Sequence, residues 1–275
     1  MTTQDYELTL TKTLPREITK KFSRAIEQYR LISGGDRIAV CISGGKDSML
    51  MAKLFQLHRR HSGLEYDLVF LVMDPGYSPE NRQRIVDNAE RLGIPIQIFT
   101  TDILYSVEHV KSNPCFLCSK MRRGSLYSTA QQLGCNKIAL GHHFDDVIET
   151  NLMSVIYGGQ TETMLPRVKS ANFPGMQLIR PMYLIRERDI IRWCRLCELN
   201  FLQCACRFTE QNGSADETQH NSKRQRIKQL ISELAQENPQ IEMNIFNSTQ
   251  GIKLNKIMSY KDGGGVHSFL ERFED

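Results

Sequence analysis

No stretch of the 275 residues reaches the ~18 consecutive apolar side chains that a membrane-spanning helix needs, so an integral helical membrane protein is not expected. The opening Met-Thr-Thr-Gln-Asp-Tyr-Glu has none of the features of a secretory leader, and the expected location is the cytoplasm. No internal repeat is visible. Charge of one sign is also scarce in excess: the formal balance is only +4, so a nucleic-acid surface has to be argued from local clusters. Cysteine is missing before Cys41 and after Cys206, yet eight cysteines lie within those limits. Without an export signal, thiolates, metal sites and redox chemistry are better uses for them than disulfides. The Walker spacing G-x-x-x-x-G-K-[ST] is absent as well.

What the chain does have is Ser43-Gly44-Gly45-Lys46-Asp47-Ser48, placed between the apolar run Arg37 to Ile42 and a helix-like stretch. A strand that feeds a glycine pair and then a helix turns backbone N–H groups and a helix N-terminus toward one anion. Gly44 and Gly45 allow positive φ and close approach of a ligand, Ser43 and Ser48 offer hydroxyls, and Lys46 adds a point charge suited to phosphate. The bland alternative is an ordinary strand-to-helix turn.

Around this loop the chain alternates. Further strands are expected at Asp67 to Asp74, Pro95 to Thr101, Lys137 to Gly141 and, last, Leu178 to Leu184; helices at Met49 to His58, Pro79 to Leu92, Ser119 to Leu133, Val147 to Tyr157 and Arg186 to Leu196. This alternation predicts an α/β fold with a doubly wound, mostly parallel sheet, where ligands bind beyond the carboxyl ends of the strands. Residues 1–35 read as a basic helical segment with Phe22, Ala25, Ile26 and Tyr29 on one face. Residues 36–208 form the main domain, and 209–275 a helical extension with a polar stretch at Gln211 to Asn221 and a frayed tail from Asp262. Thr161 to Pro174 reads as a loop.

A second motif, Gly141-His142-His143-Phe144-Asp145-Asp146, also follows a strand and opens a helix. Its acids suit Mg²⁺, proton handling or helix capping. Cys115-Phe116-Leu117-Cys118 precedes Lys120, Arg122 and Arg123; the pair alone fits a zinc half-site, a redox pair or an iron–sulfur half-site. Cys194-x-x-Cys197 beside Trp193 reads as core packing or as a partner of the downstream Cys204 and Cys206, while Cys41 and Cys135 read as packing.

Taken together, the SGGKDS loop, CFLCSKMRRGSLY, KIALGHHFDD, Tyr157-Gly158-Gly159, Arg180-Pro181 and Arg186-Glu187 resemble the PP-loop ATP-pyrophosphatases, in particular their tRNA-thiolating branch of the 2-thiocytidine type. The resemblance implies a Rossmann-like PP-loop fold and an enzyme that adenylates a base carbonyl with ATP and replaces its oxygen by sulfur. It implies ATP and Mg²⁺ at Ser43, Gly44, Gly45, Lys46, Asp47, Ser48 and His142, with Asp47, Arg122, Asp145 and Asp146 in catalysis. It also implies a [4Fe–4S] cluster on Cys115, Cys118 and Cys204, with Cys206 as alternative because Gln203-Cys204-Ala205-Cys206 departs from the family spacing. The partners implied are tRNA, flipped out at the target base, a sulfide or persulfide donor such as a cysteine desulfurase, and a second copy in a homodimer. Basic residues at Lys20, Lys21, Arg123, Arg167, Lys169 and Lys223 to Lys228 would hold the RNA backbone. The competing readings are a sulfur-inserting enzyme acting on a free nucleotide or small metabolite, an amide-forming enzyme with the same loop, and a zinc-stabilised ATP- or RNA-binding protein without turnover.

Overall fold

Alternate residues of β1 (Arg37–Ile42) serve two different interiors, which puts this strand in the middle of a sheet covered on both faces. Ile38, Val40 and Ile42 enter one apolar cluster, while Ala39 and Cys41 enter the other. Strand β2 (Asp67–Asp74) divides in the same way, with Phe70 and Val72 against Val69 and Leu71. The computed structural model describes residues 1–103, 114–202 and 215–273. Its main sheet has six strands in the order β3-β2-β1-β4-β6-β5, with β3 at Ile96–Thr100, β4 at Lys137–Ala139, β5 at Arg167–Lys169 and β6 at Gln177–Ile179. All pairings are parallel except β5 with β6. The expected doubly wound α/β architecture is the one observed. Its strand order reverses between β1 and β4, and the crevice at their carboxyl ends is where this topology places ligands.

The helices form because their apolar positions recur at helical spacing, and each buries that stripe on the sheet. On one face lie α1 (Thr3–Leu8), α2 (Lys20–Gln28), α3 (Lys46–His61), α4 (Pro79–Leu92) and α7 (Glu187–Leu196); α5 (Pro114–Gln132) covers the other through Tyr127 and Ala130. Between α1 and α2, residues Thr9–Thr13 and Pro15–Thr19 are π-helical rather than α-helical. The cause is visible in the burial: Tyr6, Leu10, Leu14, Ile18 and Phe22 are all buried at intervals of four. In an α-helix that interval drifts by about 40° per step. The wider π turns take up the drift and keep one face on the core. The amphipathic segment expected there is therefore present, but it is bent and widened, with Leu14 (φ −121°) between the two stretches and Pro15 opening the second.

Beyond β4 stands α6 (Phe144–Gly158), and its apolar face with Phe144, Val147 and Ile148 packs on Ile227 and Ile231 of α8 (Ala215–Glu237) and Phe246 of α9 (Ile241–Asn247). Several expectations change here. The loop at 161–174 contains the edge strand β5. The strand expected to run to Leu184 stops at Ile179, because Pro181 offers no N–H and the chain turns through Tyr183 N to Arg180 O (3.2 Å) and Ile185 N to Met182 O (2.9 Å). α8 begins inside the stretch read as a polar linker. The tail expected to fray forms a hairpin of β7 (Ser259–Asp262) and β8 (Gly265–Ser268), tightened by Gly264 N donating to Asp262 Oδ1 at 2.7 Å. Among the described residues no helix is long and apolar enough to cross a membrane.

Candidate functional site

The phosphate loop is braced by its own serines. Ser43 N donates to Ser48 Oγ at 3.1 Å, the two hydroxyls are 3.2 Å apart, and Ser48 Oγ donates to Gly45 O at 3.0 Å. Gly44 has φ +83°, and a Cβ there would sit 2.6 Å from Ile85 Cγ1. Only glycine meets both conditions. Gly45 is the N-cap of α3 and supplies no side-chain acceptor, so the first-turn N–H groups of that helix are left without a capping side chain. Gly141 lets the second motif close on the first: a Cβ at this position would be 3.2 Å from the backbone of Asp47 and Ser48. The two loops adjoin because β1 and β4 are neighbours in the sheet.

A cavity of about 400 Å³ opens at this junction, lined by Ser43, Asp47, Tyr77, Arg122, His142 and Asp146 among others. That is within the ~300–1,000 Å³ range of small-ligand pockets. Among the described residues, two buried atoms at the junction have no hydrogen-bond partner, Asp47 Oδ1 and His142 Nδ1. Burial raises the Asp47 carboxyl above its ordinary value, with His143 and Lys46 pulling the other way. Burial also pushes His142 down to about 4, so its ring is neutral at pH 7 and its Nδ1 is available to a ligand. Unpaired buried polar atoms are costly unless a ligand meets them. Two carboxylates, an uncapped helix start and Arg122 fit a nucleotide triphosphate with Mg²⁺. Arg122 reaches the cavity from α5, where its Nη2 donates to Tyr77 Oη at 3.2 Å.

Lys46 lines a second cavity of about 720 Å³ on the other side of the loop, together with Gly45, Cys194 and residues 198–202. It pairs with Asp47 (3.2 Å) and Glu187 (3.1 Å); burial opposes its charge, but these acids hold the ammonium above its ordinary value. Glu187 also binds Lys228, and against the upward pull of burial the two lysines bring its carboxyl down to about 2.

Asp145 and Asp146 separate. Asp145 faces the start of α7, accepting from Glu187 N at 2.7 Å and Arg186 Nη2 at 3.1 Å, and Arg186 continues to Glu242 of α9. Asp145 thus ties α6 to α7, and it does not line the cavity of about 400 Å³. Asp146 faces the nucleotide-sized cavity. With His143 it forms a capping box for α6: Asp146 N donates to His143 Nδ1 (3.4 Å) and His143 N to Asp146 Oδ2 (2.9 Å). The capping role, one of the alternatives open for these acids, falls to His143 with Asp146.

The cysteines divide too. Cys41, Cys135 and Cys197 are buried, Cys194 half-buried, and burial pushes the Cys41 and Cys194 thiols up to about 12. Burial favours the neutral thiol at all four positions. Cys115 and Cys118 fall in the first turns of α5, which starts at Pro114 rather than Ser119. Their side chains, and all of Cys204 and Cys206, lie outside the described residues. Of the described residues before them, Leu202 N donates to Gly44 O of the loop at 3.3 Å, and Asn200 O accepts from Asn88 Nδ2 of α4 at 3.0 Å.

Sequence reasoning missed Tyr77, Glu149 and the role of Arg224. Tyr77 had a signal, as it stands just past the carboxyl end of β2, level with the phosphate loop. Arg224 had none: expected among the RNA-facing cations, it pairs instead with Asp146 (3.0 Å) and Glu149 (2.7 Å), as Lys228 pairs with Glu187. Lys21 pairs with Asp189 at 3.5 Å, and Arg167 donates to Gln177 and to the Arg30 carbonyl.

Residues 14–232 match the PP-loop domain family. The chain is 36% identical over 257 residues to the tRNA-cytidine(32) 2-sulfurtransferase of Coxiella burnetii (strain RSA 493 / Nine Mile phase I), covering 91% of this chain and 95% of that protein. It is 34% identical over 241 residues to the enzyme of that name from Geobacter metallireducens, covering 86% and 90%. Among solved structures it is similar to the U34-tRNA thiolase NcsA from Methanococcus maripaludis with its [4Fe-4S] cluster, at TM-score 0.65 and 22% identity over 84% of this chain and 77% of that one, a likeness of fold. The chain belongs to the PP-loop family and, within it, to the family of the tRNA-cytidine(32) 2-sulfurtransferases.

Proposed function

We propose that this protein is an ATP-dependent tRNA thiolase that converts cytidine 32 to 2-thiocytidine, as the names of its relatives indicate for them. The observation that carries the reading is one cavity in which the phosphate loop, the His142 and Asp146 motif and the helix of Cys115 and Cys118 meet through Arg122. Leu202, two positions before Cys204 in the chain, donates to Gly44 of the same loop.

A ring carbonyl exchanges oxygen for sulfur slowly because oxide is a poor leaving group. Attack of the cytidine O2 on the α-phosphate of ATP expels pyrophosphate and leaves that oxygen esterified to AMP. Sulfide then adds at C2, and AMP departs with the former carbonyl oxygen. In this scheme the α3 N-terminus, Ser43, Ser48 and Lys46 hold the leaving pyrophosphate, and Lys46 releases Glu187 to do so. Asp47 and Asp146 take Mg²⁺; Arg122 faces the α-phosphate; neutral His142 accepts a hydrogen bond from nucleotide. Cys115, Cys118 and Cys204 would hold a [4Fe–4S] cluster, which when bound supplies the sulfur-delivering metal centre. The sulfur comes from inorganic sulfide, or from the persulfide of a cysteine desulfurase once a thiol reductant, itself oxidised to a disulfide, has released it as sulfide, and two copies associate as a homodimer.

The test is nucleoside mass spectrometry of tRNA incubated with anaerobically purified protein, ATP, Mg²⁺ and sulfide. Appearance of 2-thiocytidine at position 32 is expected. Thiolation of free cytidine nucleotides but not tRNA would move the substrate to a small molecule, and colourless zinc protein without turnover would remove the enzyme reading. Cys115→Ala is expected to abolish thiolation and the brown colour while keeping ATP affinity; a variant that still thiolates would sink the cluster assignment.

A further inference from the structure

Arg224 stands on α8, in the extension beyond the main domain, yet its guanidinium spans two carboxylates of α6 one turn apart. Nη2 meets Asp146 Oδ1 at 3.0 Å and Nε meets Glu149 Oε2 at 2.7 Å. The other Asp146 oxygen is taken by His143 N at 2.9 Å. With the His143 bond alone the carboxylate would pivot about Oδ2. Arg224 pins the second oxygen and so sets the face that Asp146 turns to the cavity. Its own place is set independently of that charge pair, because Ile227 and Ile231 on the same helix pack against Phe144, Val147 and Ile148. Glu149 is buried, and burial raises its carboxyl even with Arg224 beside it.

We propose that Arg224 is a positioning residue of the thiolation reaction that acts through Asp146, so that the C-terminal extension completes the nucleotide site. This rests on the function proposed above. A fork of donors is needed: lysine keeps the charge but serves one carboxylate, not two. Partners that orient a metal-facing ligand change affinity or activity by about tenfold to hundredfold when removed.

The test compares wild type, Arg224→Gln, Arg224→Lys, Asp146→Asn and the Arg224→Gln/Asp146→Asn double variant as reconstituted full-length protein. Two readouts are taken: steady-state thiolation of tRNA, and binding of a non-hydrolysable ATP analogue as Mg²⁺ is titrated, which needs neither tRNA nor sulfide. Arg224→Gln is expected to lower kcat about tenfold or more with the KM for tRNA unchanged, and to raise the Mg²⁺ concentration needed for analogue binding. In the Asp146→Asn background the same substitution is expected to leave that Mg²⁺ requirement where it is. Arg224→Lys should fall between wild type and Arg224→Gln. Equal Mg²⁺ penalties in both backgrounds, or wild-type kcat in Arg224→Gln, would overturn the inference. So would a higher KM for tRNA at unchanged kcat with a shallower salt dependence, which is the mark of a phosphate contact. If Arg224→Gln melts early, wild-type Mg²⁺ dependence in Arg224→Lys decides against it. Failure of the wild type to thiolate tRNA would strike the function, and the analogue titration would still decide the role of Arg224.

Discussion

Gly44 shows how much one residue carries. Its φ of +83° and the 2.6 Å approach of Ile85 to a Cβ are separate reasons against any side chain. Gly44→Ala should cost about 2 kcal/mol or more from the backbone and overpacking together. Urea unfolding measures that cost, and the Leu202 contact on the same glycine predicts that ATP affinity falls with it. A variant as stable as wild type would contradict the geometry. At this scale the sequence was a good guide wherever a residue's chemistry is local. Ser43 to Ser48 read as a phosphate loop from type and order alone, since the strand before and the helix after position those groups. It was a poor guide for Arg224 and Lys228. A cation's role depends on which acid lies opposite, and Asp146 and Glu187 come from elements 78 and 41 residues away.

At the scale of elements, strand and helix periods were legible, and departures from them had causes that tertiary contact supplies. The four-residue spacing of Tyr6, Leu10, Leu14, Ile18 and Phe22 could be counted in the sequence, but π turns follow only once that face has a core to meet. Phe22 then packs edge-on against Phe55 of α3 (5.4 Å) and beside His58 (6.0 Å), whose Nδ1 bonds with Tyr66 Oη at 2.9 Å. Burial there lowers His58 from 6.5 to about 4. The sign follows: the unfolded chain takes a proton on this imidazole below pH ~6.5 and the folded protein does not until about 4, so stability is lost as pH falls through that window. Urea unfolding at pH 7 and pH 5 should show the loss, and His58→Gln should flatten it. An unchanged pH dependence in that variant would mean that the imidazole is charged in the fold.

For the whole molecule, the helical extension beyond residue 208 packs on the main domain. α8 and α9 cover Phe144, Val147, Ile148 and Tyr183, and they bring Arg224, Lys228 and Glu242 to the acids and to Arg186 around the loop. A chain ending at Ser214 keeps every residue of the SGGKDS and GHHFDD motifs. It is nonetheless expected to aggregate or melt without cooperativity, because an apolar face that size cannot stay in water. Size-exclusion chromatography and calorimetry would show it, and wild-type binding of ATP with Mg²⁺ by that fragment would refute the dependence. By itself the sequence determined the alternation of strand and helix around the phosphate loop, that loop, and the spacing of its cysteine pair, since each depends on residues near one another along the chain. Only the tertiary structure decided that Asp146 rather than Asp145 faces the cavity, and that Arg224 from the last third of the chain pairs with it. Which partner a charge finds depends on how helices pack, and packing is a property of surfaces that meet only after folding.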